Sequence, residues 1–152
     1  MNINYIELNT EQIDRIKPLW NNLRDYHSEL STHFPERYDA VKFEDRKKEI
    51  LKKSENGILK IDLVEDKNTD SYVGYCISSI SEENVVEVDS IFLDEKYRSS
   101  GIGSMLMERA INWMDKNRVK TKKIVVAIGN EDLLPFYGRY NFLPRHLILE
   151  QK

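Results

Sequence analysis

The chain has 152 residues, 40% of them hydrophobic and 32% charged, which is enough apolar material for one globular domain with its own core. A formal net charge of −3 and a pI near 5.7 leave no overall basic field, which argues against nucleic acid as a partner. The single Cys76 excludes an internal disulfide framework, the N-terminal MNINYIELNTEQ has no leader-like apolar stretch, and no run approaches the roughly 18 apolar residues of a membrane span, so a soluble, cytoplasmic protein is expected.

Residues 3–8 (INYIEL) alternate like a short strand, and Asn9 or Thr10 can cap a following helix, with Gln12 as capping-box partner of Asn9. Apolar positions Ile13, Ile16, Leu19, Trp20, Leu23 and Tyr26 predict a helix to about Leu30, kinked at Pro18. STHFPERYDAV reads as a loop, and FEDRKKEILKKSENG as a second helix stopped at Gly57. Three strands follow, at 58–66, 71–81 and 84–93, joined by turn-rich DKNTD and SEEN, so antiparallel hairpins are expected.

A helix from about Gly101 to Asn117 comes next, with a buried stripe of Ile102, Met105, Leu106, Ala110, Trp113 and Met114. KKIVVAIG (122–129) has the near-continuous apolar pattern of a strand covered on both faces. A short helix in NEDLLPFYGRY and a strand around HLILE complete the order β-α-α-β-β-β-α-β-α-β. The fold class is mixed α/β, an antiparallel meander followed by a β-α-β crossover and flanked by helices, with 1–152 as a single domain.

The turn before the 101–117 helix is unusual. From Lys96 to Met107 there is no Asp or Glu, although carboxylates normally favour the positive first turn of a helix. Gly101 and Gly103 remove side chains where a large anion would touch backbone N–H groups, and Ser99, Ser100 and Ser104 add hydroxyls, so the stretch reads as a pyrophosphate cradle or as two glycines easing a tight turn. GIGSML has Leu106 where a dinucleotide fingerprint needs its third glycine, and the chain holds no Gly-Lys-Ser/Thr of a P-loop, which disfavours NAD and ATP.

The pattern R-x-x-G-x-G at Arg98–Gly103, between the strand VVEVDSIFL and an amphipathic helix, resembles the acetyl-CoA pyrophosphate motif of the GNAT superfamily of N-acetyltransferases. AIGNEDLLPFYGRYNF (127–142) resembles that family's next motif, a strand ending in Asn and a short helix carrying Phe-Tyr. The resemblance covers residues 58–142; one departure is Asn141, where the family usually has glycine, and Asn tolerates the left-handed conformation such a turn requires.

The resemblance implies a GNAT-like sheet and acetyl-CoA as co-substrate. Main-chain groups along Ile91, Phe92 and Leu93 would run beside the pantetheine arm, which requires the sheet to splay, and a bulge near Asp89–Ser90 would open it. The pyrophosphate would lie on N–H groups from Ser99 and Ser100 through Gly101, Ile102 and Gly103 to Ser104, after Arg98. Asn130 matches a cofactor-contacting position and is equally placed as a helix N-cap. Tyr137, seven residues after Asn130, matches the family's general acid; its plainer role is an aromatic core pair with Phe136. Glu87, eleven residues before Arg98, matches the catalytic glutamate of some members, with Asp89 beside it as a second carboxylate, whereas other members use water.

The expected reaction is acetyl transfer to a primary amine of a small molecule or peptide, with Glu87 and Asp89 giving the acceptor site a negative lining. A non-catalytic acyl-CoA-binding sensor or regulatory module is the alternative, and a longer acyl-CoA would differ only in pocket width. His27, His33 and His146 are too scattered for a metal site, so no metal is expected. No membrane partner is implied, and a homodimer stays open.

Overall fold

The strands of this protein pair into one mixed sheet; the computed structural model describes all of residues 1–152. β1 (Ile3–Leu8), β2 (Ile58–Asp66), β3 (Ser71–Ile80), β4 (Val86–Leu93) and β5 (Lys122–Ile124) lie in the order β1-β2-β3-β4-β5. The first four pair antiparallel, and β4 pairs parallel with β5. The β2–β3 hairpin is tied by Asp66, whose Oδ1 accepts from the N–H of Asn68 at 3.0 Å and of Asn2 at 3.1 Å. Parallel pairing of β4 and β5 needs a crossover, which α4 (Ile102–Lys116) supplies.

Each face of the sheet holds its own core. α1 (Lys17–Leu30) and α3 (Phe43–Glu55) pack Leu19, Trp20, Phe43 and Ile50 against Ile61, Leu63, Tyr75, Ile77 and Phe92. α4 packs Ile102, Leu106, Met107, Ala110 and Met114 against Val64, Val73, Cys76, Val86 and Val88 on the other face. Leu63 and Val64, or Tyr75 and Cys76, thus serve opposite cores as strand neighbours must. Each such buried side chain contributes about 1.5–3 kcal/mol. α2 (Pro35–Ala40) and α5 (Leu134–Gly138) are short.

Several expectations are corrected. The predicted helix to Leu30 is a 3-10 turn at Thr10–Ile16 followed by α1, because Pro18 lacks an N–H and sits in the first turn of α1 rather than kinking it. The capping box at its start is present, with the Gln12 N–H donating to Asn9 Oδ1 at 3.1 Å and the Asn9 N–H to Gln12 Oε1 at 3.0 Å. The expected 31–41 loop contains α2, started by Pro35. In the α4 stripe Met107 is buried while Met105 is 42% exposed.

Residues 122–129 form a strand only to Ile124, and Val125 is 73% exposed. No strand forms around HLILE, where Leu147, Ile148 and Leu149 face solvent. Asn141 takes φ +65°, the left-handed turn expected of it, and the Phe142 N–H closes the turn onto the Tyr137 carbonyl at 3.2 Å.

Candidate active site

The pairing of β4 with β5 ends where β4 bulges. Val88 opposes Ile124, and beyond that pair the strands have no common register. On its other side β4 pairs Val88 with Ser78 and Ser90 with Ile77, so Asp89 is the extra residue of a β-bulge. The bulge turns β4 away from residues 125–127, and a cleft of about 850 Å³ opens between them. Ile91, Phe92 and Leu93 line it along the edge of β4 that β5 leaves unpaired.

One end of the cleft is the turn into α4. Arg98, Ser99, Gly101, Gly103 and Ser104 all line it. Ser99 at φ +60° and Gly101 at φ +87° put consecutive backbone segments in the alternation that gathers N–H groups around an anion. α4 has no side-chain cap and no acid in its first turn. A Cβ on Gly101 would meet nothing within 4 Å, and one on Gly103 only the Phe136 ring at 3.5 Å, so the protein itself does not fill this space. The turn thus has room and N–H groups for an anion.

Not all of the expected cradle faces the cleft. The Ser100 hydroxyl is turned back to donate to the Tyr97 carbonyl, and the Ile102 side chain is in the α4 core. Arg98 donates from Nε to the Leu93 carbonyl at 3.0 Å and stacks 4.9 Å from the Tyr26 ring centroid, joining the turn to α1. Asn130 is buried on the cleft wall, precedes a 3-10 turn and makes no side-chain cap, which leaves its amide available.

Tyr137 is buried beside the cleft, edge-on to Phe136 at 5.4 Å. Burial pushes its phenol up to about 12, with a smaller contribution from nearby Cys76. It therefore stays protonated across the ordinary pH range, as a proton donor must. Burial likewise pushes the Cys76 thiol up to about 12, far from a nucleophilic thiolate.

The two strand carboxylates are placed differently from expectation. Glu87 does not line the cleft; its carboxylate faces α3 and binds the Lys53 ammonium at 2.7 Å. The same ammonium binds Asp89, whose side chain has no exposed surface, so what Asp89 presents to the cleft is main chain. Burial holds the Asp89 carboxyl above the usual carboxylate range, against the pull of Lys53. A negative lining from this pair is corrected to two carboxylates paired with Lys53 outside the cleft.

The far wall comes from α1, α2 and α3: Trp20, Arg24, Tyr26, His27, Tyr38 and Arg46. Burial keeps His27 below its ordinary value and thus neutral near pH 7. Arg139 joins the α4 end of the cleft, its Nη2 donating to Ser104 Oγ at 3.3 Å. No motif singles out Arg24, His27, Tyr38 or Arg46. For Arg139 the signal was its place directly after the Phe-Tyr-Gly of the second motif.

Comparison with known proteins agrees with this architecture. The model of the acetyltransferase (GNAT) family matches residues 19–142. An uncharacterized N-acetyltransferase of Methanocaldococcus jannaschii is 31% identical over 72 residues, 47% of this chain and 32% of that protein, so the match spans about a third of the relative's length. A putative acetyl transferase from Pyrococcus furiosus shares the fold with a TM-score of 0.69 at 23% identity, over 98% of this chain and 99% of that one. So does AAC(6')-Iy, solved with the bisubstrate analog CoA-S-monomethyl-acetylneamine, with a TM-score of 0.64 at 15% identity over 100% and 99%. The family's acetyl donor is acetyl-CoA. With 124 consecutive residues under the family model and a sheet that splays beside the α4 turn, the chain belongs to the acetyltransferase (GNAT) family.

Proposed function

We propose that this protein is an N-acetyltransferase that moves an acetyl group from acetyl-CoA to a primary amine of a small molecule or peptide by direct attack. The observation that carries this reading is one continuous cleft, with the vacant N-terminus of α4 at one end and the buried, protonated Tyr137 on its wall.

Acetyl-CoA supplies a thioester: the amine lone pair forms the C–N bond, the C–S bond breaks, and the thiolate needs a proton. In this reading the N–H groups from Ser99 to Ser104 hold the pyrophosphate, with the α4 dipole behind them. The free edge of β4 from Ile91 to Leu93 takes the pantetheine amides as an added strand would. Main-chain groups freed from the ladder at the Asp89 bulge face the acetyl carbonyl and can polarise it. Tyr137 gives its proton to the departing sulfur and regains one from solvent, where the amine's own proton has gone. Because Glu87 is outside the cleft and Asp89 is sealed below it, neither of these carboxylates takes the amine's proton; the amine attacks as its neutral form, its proton having gone to water. The single buried thiol of Cys76 fits a reducing, cytoplasmic setting.

The test is acetyl-CoA-dependent thiol release over a panel of amines, alongside melting curves with acetyl-CoA. Amine-dependent release with a raised melting temperature is expected. A raised melting temperature with no release from any amine would make the protein an acyl-CoA-binding module, and an unmoved one at millimolar acetyl-CoA would remove the reading entirely.

A further inference from the structure

The acceptor half of the cleft carries the opposite charge from the one a polyamine or aminoglycoside needs. Arg24 and Arg46 line it, and the accessible carboxylate on that wall is Glu49, since Asp89 shows no side-chain surface. Both guanidinium side chains are largely sheltered, 26% and 27% exposed.

Arg46 is fixed beside the β4 bulge. Its Nη2 donates to the Asp89 carbonyl at 3.0 Å and its Nη1 to Glu49 at 3.0 Å. Arg24 lies 5.8 Å from the Trp20 ring centroid, with Nη1 on the Val41 carbonyl at 3.2 Å and Nε and Nη2 sharing one oxygen of Asp25. A guanidinium has five N–H groups, so donors remain free on both. Their carboxylate partners are 67% and 63% exposed, where ion pairs contribute little. An anion inside the cleft, shielded from water, would be held more strongly than either.

The position of Arg46 sets the distance between charge and chemistry. It touches the residue at which the sheet splays, so an anion on it stands only a few bonds from an amine aimed at the acyl carbon. Trp20, Leu23, Tyr38 and Val41 supply the apolar surface around it.

We infer that the acceptor is an amino carboxylic acid, its carboxylate held by Arg46 and Arg24, its apolar or aromatic side chain against Trp20 and Leu23, and its amine facing the β4 bulge. This rests on the acetyltransferase reading for the fate of the amine, and on the arginines alone for recognition.

Binding to the CoA-loaded protein, measured by calorimetry, tests it with matched series: phenylalanine, phenylalaninamide and phenethylamine, and leucine with leucinamide. The acid should bind at least about 10-fold tighter than its amide or amine, the scale of a charge-assisted hydrogen-bonded pair. Arg46→Gln should erase that preference while CoA still binds, and Arg46→Lys should keep part of it. Equal or tighter binding of the amides or of kanamycin overturns the inference, as does no detectable binding of either acid at millimolar concentration. An unchanged acid-to-amide ratio in Arg46→Gln overturns it too. CoA release from acetyl-CoA over the same series separates the two readings: acid binding without release leaves this inference standing and removes the acetyltransferase proposal, whereas release from the amides in preference does the reverse.

Discussion

Lys53 holds one oxygen of the Asp89 carboxylate, and the other oxygen is buried with no partner at all. Desolvation opposes the lysine's charge, but its bonds to Asp89 and Glu87 outweigh that and raise its pKa. The fully enclosed Asp89 still ends above its ordinary value, so the pairing does not offset the cost of burying this carboxylate. Because the folded pKa of Asp89 is raised, its contribution to stability is complete below the unfolded value of about 3.9 and is lost as pH rises through the folded pKa. Asp89→Asn should therefore melt at or above the wild-type temperature at pH 7, with the advantage shrinking toward pH 4. A variant more than about 1 kcal/mol less stable at pH 7 would show that the ion pair dominates.

Tyr137→Phe keeps the ring contact with Phe136 and deletes the proton donor. Expected is a fall in kcat of about 10²-fold with acetyl-CoA affinity unchanged, the usual scale for a lost general acid. Because burial raises the phenol to about 12, wild-type kcat should show no alkaline decline from this group up to pH 10. Full kcat in the variant would return Tyr137 to a packing role.

Gly103→Glu sets a carboxylate at the first turn of α4, where the site has open space and no acid of its own. The variant should fold, since the nearest atom to a new Cβ is the Phe136 ring at 3.5 Å, an ordinary contact. Acetyl-CoA should no longer raise its melting temperature. A ligand-induced shift equal to wild type would place the pyrophosphate elsewhere.

Gly129 ties the segment after β5 to the end of α1. At φ +108° its Cβ would lie 2.0 Å from the Leu30 carbonyl oxygen, backbone that cannot step aside. Gly129→Ala should lose about 3 kcal/mol or more, from strain and from displacing the cleft wall. Gly138→Ala, with nothing within 4 Å, should differ by less than about 0.5 kcal/mol. Denaturant midpoints of the two variants compare them directly, and similar losses would refute the distinction.

Local chemistry accounts for what could be read directly. The Asn9–Gln12 capping box, the left-handed turn at Asn141 and the meander of β2, β3 and β4 depend on neighbours a few residues away, and all are present. The vacant first turn of α4 was visible as a missing acid, for the same reason. Even the bulge was anticipated near Asp89–Ser90, although from what the resemblance required of the sheet rather than from the residues themselves.

Where a partner is distant in sequence, pattern alone misled. VVAIG is apolar enough for a strand, yet the Asp89 bulge takes its partner away and turns it into cleft wall; HLILE has strand character but pairs with no strand of the sheet. Glu87 and Asp89 share a face as period two and the bulge dictate, but which face meets the cleft depended on α3 bringing Lys53 across to them. Arg24 and Arg46 stand 22 residues apart on different helices and acquire a common site only when both helices dock on the sheet. Hydrophobic period and turn residues are short-range properties and were determined by the sequence itself. Which charges neutralise one another, and which are left facing a ligand, are sums over contacts between elements, and those only the tertiary structure decided.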